Sequence, residues 1–175
     1  AGYKGIIAEG WDPVLGWRSS NFVYQPKGTS KIKLLLKNYR LSDDIAFRFG
    51  DKNWPEWPLT AGKFGTWVNS INGNGETVNL FMDYETFGEH QWESTGIFEF
   101  LKHLPEEIFK NKDNGFLTLS ETCKAYPVRD TVDMPNIVTW ADTERDLSAW
   151  TGNAMQQSSI AELYRIEHQI LATKD

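Results

Sequence analysis

The chain has 175 residues, a length that supports one domain with a sizeable hydrophobic core. Its 40% hydrophobic and 24% charged residues are typical of globular proteins and argue against a disordered chain. The net charge of −6 argues against a nucleic acid or an anionic membrane as the main partner. We therefore expect a single domain over residues 1–175, with no nucleic-acid and no membrane partner.

Four strand signals and one helix signal lie in the first half of the chain. The runs 3–10 and 31–38 are predicted strands, the first of them buried, and Phe22–Tyr24 is a weaker strand signal. The alternation over 44–50 predicts another strand. Thr60 is then the predicted cap of a helix. That helix has one apolar face, formed by Phe64, Trp67, Val68 and Ile71.

The second half contains the strongest strand signal, the apolar run 77–84, whose β-forming residues on both faces are typical of a parallel strand covered on both sides. A helix is predicted over 94–104, and Pro105 either ends it or opens the next turn at its first position. Its inward residues are predicted to be Ile97, Phe98, Leu101 and Leu104. Weaker strand signals lie at 116–121 and 136–140. From about residue 144 the apolar period is helical.

Alternating strands and helices indicate an α/β fold with a largely parallel sheet. In such folds, ligands bind where the carboxyl ends of the strands meet. Three charged residues stand at or near the ends of predicted strands, and they are Glu9, Arg48 and Asp83. These are the first candidates for a functional site.

Asp83 and Glu85 are spaced so that both carboxylates share one side of an extended chain. Because neighbouring carboxylates repel, one of such a pair tends to keep its proton to higher pH, as a general acid must. The alternative is that Asp83 caps the following loop or pairs with Arg48. Glu9 is either a catalytic partner, a ligand for sugar hydroxyls or a salt-bridge partner of Arg18.

Other chemistries are not indicated by the sequence. The three histidines, at positions 90, 103 and 168, have no metal-binding spacing, and no glycine-rich loop follows a strand in phosphate-binding order, so no metal and no cofactor is predicted. Cys123 is the single cysteine, which excludes an internal disulfide and indicates a reducing, cytoplasmic location; its thiol is expected to be inert. His90 is a plausible hydrogen-bonding partner for sugar hydroxyls.

The pattern D-x-E-x-F-G followed by tryptophan resembles the fourth sequence region of family 57 glycoside hydrolases, the α-amylase and glucanotransferase family. Its residues here are Asp83, Glu85, Phe87, Gly88 and Trp92. The spacing from Gly88 to Trp92 is slightly longer than in some members. Four further segments look like archaeal-type α-amylases of this family, so the resemblance covers nearly the whole chain. These segments are 4–17, 34–49, 96–105 and 139–153.

This resemblance implies a partial (β/α)7 barrel with largely parallel strands, a helical C-terminal segment and a retaining mechanism. It implies that Asp83 is the general acid/base and that the substrate is an α-glucan or maltooligosaccharide. Glu85, His90 and Trp92 would line the sugar-binding cleft. The residues that would line or support it further are Glu9, Trp11, Arg48 and Asp146.

In this family the nucleophile is a glutamate in a segment that precedes anything like residues 2–10. The resemblance therefore implies the C-terminal portion of a catalytic barrel, which carries the acid/base, lacks the nucleophile and is inactive alone. The missing N-terminal part would be its partner. The alternatives are a 4-α-glucanotransferase or branching enzyme of the same family, a non-catalytic carbohydrate-binding fragment, and a scaffold with no ligand.

Overall fold

A computed structural model describes residues 2–141 and 143–173. The chain divides into two compact units, Ala1–Asp133 and Met134–Asp175. The first unit contains the sheet and five helices, and the second contains two helices. The single domain over residues 1–175 stays a prediction.

The sheet of the first unit has four short strands in the order β1-β3-β2-β4. The strands are β1 (Gly5–Ala8), β2 (Val23–Pro26), β3 (Lys33–Leu36) and β4 (Thr131–Val132). The pairs β1–β3 and β2–β4 are parallel. The pair β2–β3 is antiparallel, because only a short turn separates these two strands. The α/β class and the mostly parallel sheet are therefore confirmed, and the barrel stays a prediction.

The predicted strands near residues 3–10 and 31–38 correspond to β1 and β3, and the weak signal at 22–24 corresponds to the start of β2. The expected burial of β1 is wrong. β1 ends the strand order, and its Ile6 and Ile7 are about half exposed. Its backbone pairs with one neighbour only, and α5 covers the face at Gly5, while Ile6 and Ile7 stay half exposed.

Besides two short 3₁₀ helices, Tyr84–Thr86 and Glu93–Thr95, the part of the chain that the structure describes contains seven α-helices. They are α1 (Asp12–Leu15), α2 (Tyr39–Ala46), α3 (Ala61–Asn69), α4 (Ile97–Phe109), α5 (Leu119–Ala125), α6 (Ser148–Thr151) and α7 (Ala154–Ala172). The predicted cap of α3 is confirmed, because the Thr60 side chain accepts a hydrogen bond from the Lys63 N–H at 3.2 Å. The helical end of the chain is confirmed by α6 and α7.

Two predicted strands are not strands, and part of each is helical instead. Most of 44–50 is the end of α2 and the turns after it, because the Asn38 side chain caps this helix and Ile45 and Ala46 face inward. Residues 119–121 of the run 116–121 open α5. There Thr118 and Glu121 form a reciprocal capping box, which favours a helix over a strand. The run 136–140 is not a strand either.

The strongest strand signal, 77–84, is also not a strand. Residues 77–83 have no strand assignment, although Leu80 and Met82 pack against the core. Its backbone hydrogen bonds include one from the Thr77 N–H to the Asn21 carbonyl at 3.0 Å and one from the Asn38 N–H to the Asn79 carbonyl at 2.8 Å. Residues 77–82 are only partly buried and residues 83 and 84 are exposed, so the expected strand covered on both sides is wrong.

Helix α4 is longer than predicted and buries a different stripe. It continues through Pro105, and its buried residues are Ile97, Phe100, Leu104 and Ile108. Phe98 and Leu101, which were predicted to face inward, are partly exposed. Positions 97, 100, 104 and 108 repeat at close to 3.6 residues and so share one face.

Aromatic side chains of α3 and α4 form the centre of the main core. Phe64 is fully buried, and its ring centroid lies 5.7 Å from that of Phe100 in an edge-to-face arrangement. Phe100 also contacts the ring of Phe49, at a centroid distance of 5.1 Å. The interlocked rings fix α4 against α3.

Replacing Phe64 with alanine should lower the free energy of unfolding by about 3–5 kcal/mol, because it removes a fully buried ring and leaves a cavity. Urea unfolding followed by far-UV circular dichroism measures this loss. Phe47→Ala is the matched control, since Phe47 is exposed and should cost far less. Equal losses for the two variants would contradict this account of the core.

Candidate functional site

The carboxyl ends of β1 and β3 lie side by side. Ala8 is paired with Leu36 in parallel register, so Glu9 and Lys37 follow at the same edge of the sheet. The Lys37 N–H donates to the Ala8 carbonyl at 2.9 Å. A Cβ atom on Gly10 would lie 2.0 Å from the Lys37 carbonyl oxygen, so this close approach of two backbones requires glycine.

Three charged side chains are buried at this edge, namely Glu9 (3% exposed), Lys37 (2%) and Asp43 (7%). The Lys37 Nζ lies 3.7 Å from the Glu9 Oε2 and 3.5 Å from the Asp43 Oδ1. The Glu9 Oε1 accepts the Gly10 N–H at 3.0 Å. Because a buried charge is tolerated only when it is paired, this cluster holds β1, β3 and α2 in one arrangement.

The sequence pointed to Glu9 but not to Lys37 or Asp43. The signal for Lys37 was the same one that singled out Glu9, a charged residue directly after an apolar strand. Asp43 lies on the buried face of α2. The sequence analysis missed this face because the end of α2, from residue 44, was predicted as a strand. The role of Glu9 as a substrate ligand stays a prediction.

Segment 77–83 connects this edge to Asp83. The Asn79 side-chain amide donates to the Leu36 carbonyl at 2.9 Å, and the Asn79 carbonyl accepts the Asn38 N–H at 2.8 Å. The segment therefore lies at the carboxyl end of β3. Met82 packs against the core, whereas Asp83 is exposed, so an accessible carboxylate directly follows an anchored backbone.

The loop after Asp83 is closed by its own backbone. The Asp83 carbonyl accepts the Thr86 N–H at 3.1 Å, and the Glu85 carbonyl accepts the His90 N–H at 2.9 Å. Gly88 has φ +112°, a conformation that side chains with a Cβ atom rarely adopt. This explains in physical terms why the motif has glycine at that position.

Gln91 anchors this loop to α2, and the sequence analysis missed it. Its side chain is buried, and its Nε2 donates to the Ala46 carbonyl at 3.0 Å, at the end of the helix. Its main chain also pairs within the loop, donating to the Thr86 carbonyl at 3.0 Å. Only its place inside the motif, between His90 and Trp92, could have drawn attention to it.

Four predicted site residues lie together on this loop. Asp83, Glu85 and His90 are exposed, and so is the Trp92 ring, at 68%. The neighbouring Tyr84 ring is 97% exposed. Exposed aromatic rings beside carboxylates combine an apolar face with hydrogen-bond acceptors, which suits a ligand with flat apolar faces and hydroxyl edges.

Arg48 follows α2 and is hydrogen-bonded to residues of that helix and not to the motif carboxylates. Its Nε donates to the Asp44 Oδ1 at 2.6 Å, and its Nη2 donates to the Arg40 carbonyl at 2.9 Å. Burial raises the pKa of Asp44, and the guanidinium of Arg48 opposes that rise. In this structure Arg48 makes a local ion pair, and a direct role at the substrate stays a prediction.

Trp11 and Asp146 both lie at helix starts. Trp11 is the N-cap residue of α1 and is partly buried. Asp146 belongs to the second unit, where its Oδ1 accepts the Ser148 N–H at 2.7 Å. Hydrogen bonds from Ser148 hold the pKa of Asp146 below its ordinary value. For both residues, a place in a sugar-binding cleft stays a prediction.

Metal-binding groups and membrane-spanning helices were also sought among the described residues. Across residues 2–141 and 143–173, no three histidine, cysteine, aspartate or glutamate side chains are grouped so that they could hold a metal ion. Within the same residues no helix is both long and apolar enough to cross a membrane.

The mixed α/β fold, with a motif loop of carboxylates and aromatics at the carboxyl edge of its sheet, is compatible with a carbohydrate-active enzyme. Residues 1–135 match the sequence profile of glycosyl hydrolase family 57, and the chain belongs to that family. It is 50% identical over 165 residues to a protein of Methanocaldococcus jannaschii named "Putative alpha-amylase". That match covers 93% of this chain and 34% of the relative, so the chain spans about a third of the relative's length.

Replacing Lys37 with methionine should lower the free energy of unfolding by about 3–5 kcal/mol, because Glu9 and Asp43 would then be buried without their shared cation. Thermal and urea unfolding measure the loss. The matched control is Lys110→Met, which breaks an exposed pair with Glu107 and should cost at most about 1 kcal/mol. A Lys37 variant as stable as this control would contradict the proposed importance of the cluster.

The Cys123 thiol should react slowly in the native chain, because burial raises its pKa while the nearby Lys33 only partly opposes that rise. Labelling with Ellman's reagent at neutral pH measures this. The same chain unfolded in guanidinium should react at once and provides the control. Rapid labelling of the folded chain would show that the thiol is accessible and ionised.

Proposed function

We propose that this chain is part of a retaining α-glucan-active glycoside hydrolase of the α-amylase type, with Asp83 as its general acid/base. The observation that carries the proposal is the exposed carboxylate of Asp83, which directly follows an anchored segment at the carboxyl edge of the sheet. The exposed rings of Tyr84 and Trp92, which lie on the same loop, support a sugar ligand. Membership of family 57 and the name of the relative support the substrate class.

The proposed reaction has two steps. Protonated Asp83 donates its proton to the glycosidic oxygen while a second carboxylate attacks the anomeric carbon, which forms a covalent glycosyl intermediate. The Asp83 carboxylate then takes a proton from the water that hydrolyses this intermediate. Retention requires the two carboxyl groups to be about 5–5.5 Å apart.

Side chains of the motif loop would bind the sugar around Asp83. The Trp92 ring offers an apolar surface on which a sugar ring can stack, and its 68% exposure leaves that surface accessible. Glu85 and His90 are exposed on the same loop and would hold sugar hydroxyls by hydrogen bonds. Glu9, Trp11, Arg48 and Asp146 are proposed as lining or supporting residues.

We propose that the nucleophile is a glutamate of a segment other than residues 1–175. The burial of Glu9 supports this, because its Oε1 accepts the Gly10 N–H and its Oε2 faces the Lys37 ammonium. A carboxylate held in this way is poorly placed to reach an anomeric carbon. Glu9 is instead suited to holding the edge of the sheet from which segment 77–83 leads to Asp83.

Replacing Asp83 with asparagine should lower kcat by about 10²–10⁴-fold, because the amide cannot transfer the proton. The test uses a form of the protein that hydrolyses starch, and it measures maltooligosaccharide hydrolysis and binding separately. Binding should be largely kept. Asp51→Asn is the control, since Asp51 is exposed. The Asn53 N–H donates to the Asp51 Oδ1, and the amide oxygen of the variant can accept the same hydrogen bond.

The same measurement separates catalysis from binding alone. Unchanged turnover in the Asp83 variant would contradict the acid/base role and favour a non-catalytic carbohydrate-binding function for this loop. Product analysis with maltotriose then distinguishes hydrolysis, which releases free sugars, from glucanotransferase activity, which builds longer chains.

Residues 1–175 alone should show no starch hydrolysis, because they would supply the proton donor without the nucleophile. A reducing-sugar assay on the purified chain checks this. Measurable hydrolysis that disappears in Asp83→Asn would overturn the proposal of an external nucleophile. It would make Glu9 the candidate, despite its burial.

A further inference from the structure

Three side chains form a hydrogen-bonded network on the surface, between the start of α1 and the start of α2. The Tyr39 hydroxyl donates to the Asp12 Oδ2 at 3.0 Å, and the Arg40 Nη2 donates to the same oxygen at 2.9 Å. The Arg40 Nε donates to the Tyr39 hydroxyl at 3.3 Å, which closes the network. The Asp12 and Arg40 side chains are nevertheless 56% and 72% exposed. The groups are therefore held together at a surface that a ligand can reach.

The network stands at the carboxyl edge of the parallel strands β1 and β3. Asp12 lies four residues after the end of β1, and Tyr39 lies three residues after the end of β3. The Asn38 N–H, directly before Tyr39, donates to the Asn79 carbonyl at 2.8 Å. Asp83 follows four residues after Asn79, so the chain between them spans about 14 Å at most. The network and the motif loop therefore border the same edge of the sheet, where ligands of α/β folds bind.

The stability of its own helix does not explain Arg40. Arg40 is the second residue of α2, and the partial positive charge of a helix N-terminus disfavours a cation there. The first turn of α2 contains no acidic residue that would offset this charge. An exposed ion pair such as the one with Asp12 contributes little to stability, because water screens it. A role in binding a ligand accounts for the position of Arg40 better than a role in folding.

The network keeps hydrogen-bonding capacity that a ligand can use. The guanidinium of Arg40 has five N–H donors, and its Nη1 donates to none of the residues that the structure describes. The Asp12 Oδ1 likewise accepts no hydrogen bond from these residues. Hydrogen bonds from Arg40 and Tyr39 hold the pKa of Asp12 below its ordinary value, so this oxygen is an acceptor at neutral pH. One ion pair thus offers both a donor and an acceptor.

Adjacent hydroxyl groups of a sugar ring match this combination. One hydroxyl can accept an N–H of Arg40 while its neighbour donates to the Asp12 carboxylate. Hydrogen bonds to ionised groups are stronger than those between neutral groups. An anion would be repelled by the carboxylate and a cation by the guanidinium, so the pair favours a ligand without charge.

We propose that Asp12, Tyr39 and Arg40 form a sugar-binding subsite. Arg40 and Asp12 hold adjacent hydroxyls of one glucose unit of the substrate, and Tyr39 keeps the ion pair in place. The choice of an α-glucan rests on the proposed function, whereas the preference for a neutral diol rests on the paired charges and their unused hydrogen-bonding groups.

The test is a titration of the ¹⁵N-labelled 175-residue chain with maltotriose, followed by amide chemical shifts. Saturable shifts are expected at Asp12, Tyr39, Arg40 and Leu41. Arg40→Met removes the donors and should weaken this binding by about 10-fold or more. Arg40→Lys keeps the charge without the planar fork and should bind with intermediate affinity. The absence of saturable shifts in the folded chain, or equal affinity in Arg40→Met and the unchanged chain, would overturn the proposal.

Arg165→Met is the matched control, because it breaks another exposed arginine–carboxylate pair, with Glu162 in α7. It should leave maltotriose binding unchanged. Both exposed variants should unfold in urea at nearly the same concentration as the unchanged chain, so that a lost signal is assigned to binding. Inorganic phosphate is the probe for the other ligand class. Saturable phosphate shifts at the amides of residues 12 and 39–41 would contradict the preference for a neutral ligand and would also overturn the subsite.

Kinetics on a form of the protein that hydrolyses starch separate this proposal from the role of Asp83. Arg40→Met should raise KM more than it lowers kcat, because the subsite binds the substrate and the transition state alike, whereas Asp83→Asn should lower kcat. Weaker glucan binding in Arg40→Met would support the subsite even if Asp83→Asn left hydrolysis unchanged. An unchanged KM in Arg40→Met would overturn the subsite, even if Asp83→Asn abolished turnover.

Discussion

The paired burial of Glu9 and Lys37 is the constraint on which the arrangement of the site depends. Neither charge is tolerable in the interior alone, so the two strands must end in the register that brings them together. Asp43 extends the pairing to α2. From the end of α2 the Ala46 carbonyl holds Gln91, and Gln91 holds the motif loop. A series of specific contacts thus connects the sheet edge to the loop that carries Asp83.

The structural features that the sequence predicted correctly depend on interactions between residues close together in the chain. The cap at Thr60, the apolar face of α3 and the helical end of the chain depend on neighbours three or four residues apart. The motif loop was found in the same way, because its carboxylates, glycine and tryptophan lie within ten residues. For these features a single sequence carried enough information, and a family resemblance added the roles.

The missed features depend on partners that are distant in the chain. Lys37 matters because Glu9 lies beside it across the sheet, and Gln91 matters because Ala46 lies beneath it. The apolar run 77–84 is only partly buried, and a strand also needs a neighbouring backbone in register. The run 44–50 has a strand-like alternation of apolar and polar residues. Its first residues nevertheless belong to α2, which is amphipathic and capped by Asn38.

The open side of β1 has a practical consequence for handling the chain. An edge strand presents unpaired backbone N–H and C=O groups, and here the half-exposed Ile6 and Ile7 add apolar surface to that row. Lys4 precedes the strand and supplies a charge that opposes stacking of copies. At the concentrations used for crystallisation or spectroscopy, self-association of the chain would therefore begin at the unpaired edge of β1. Substitutions that improve solubility are best placed at this edge.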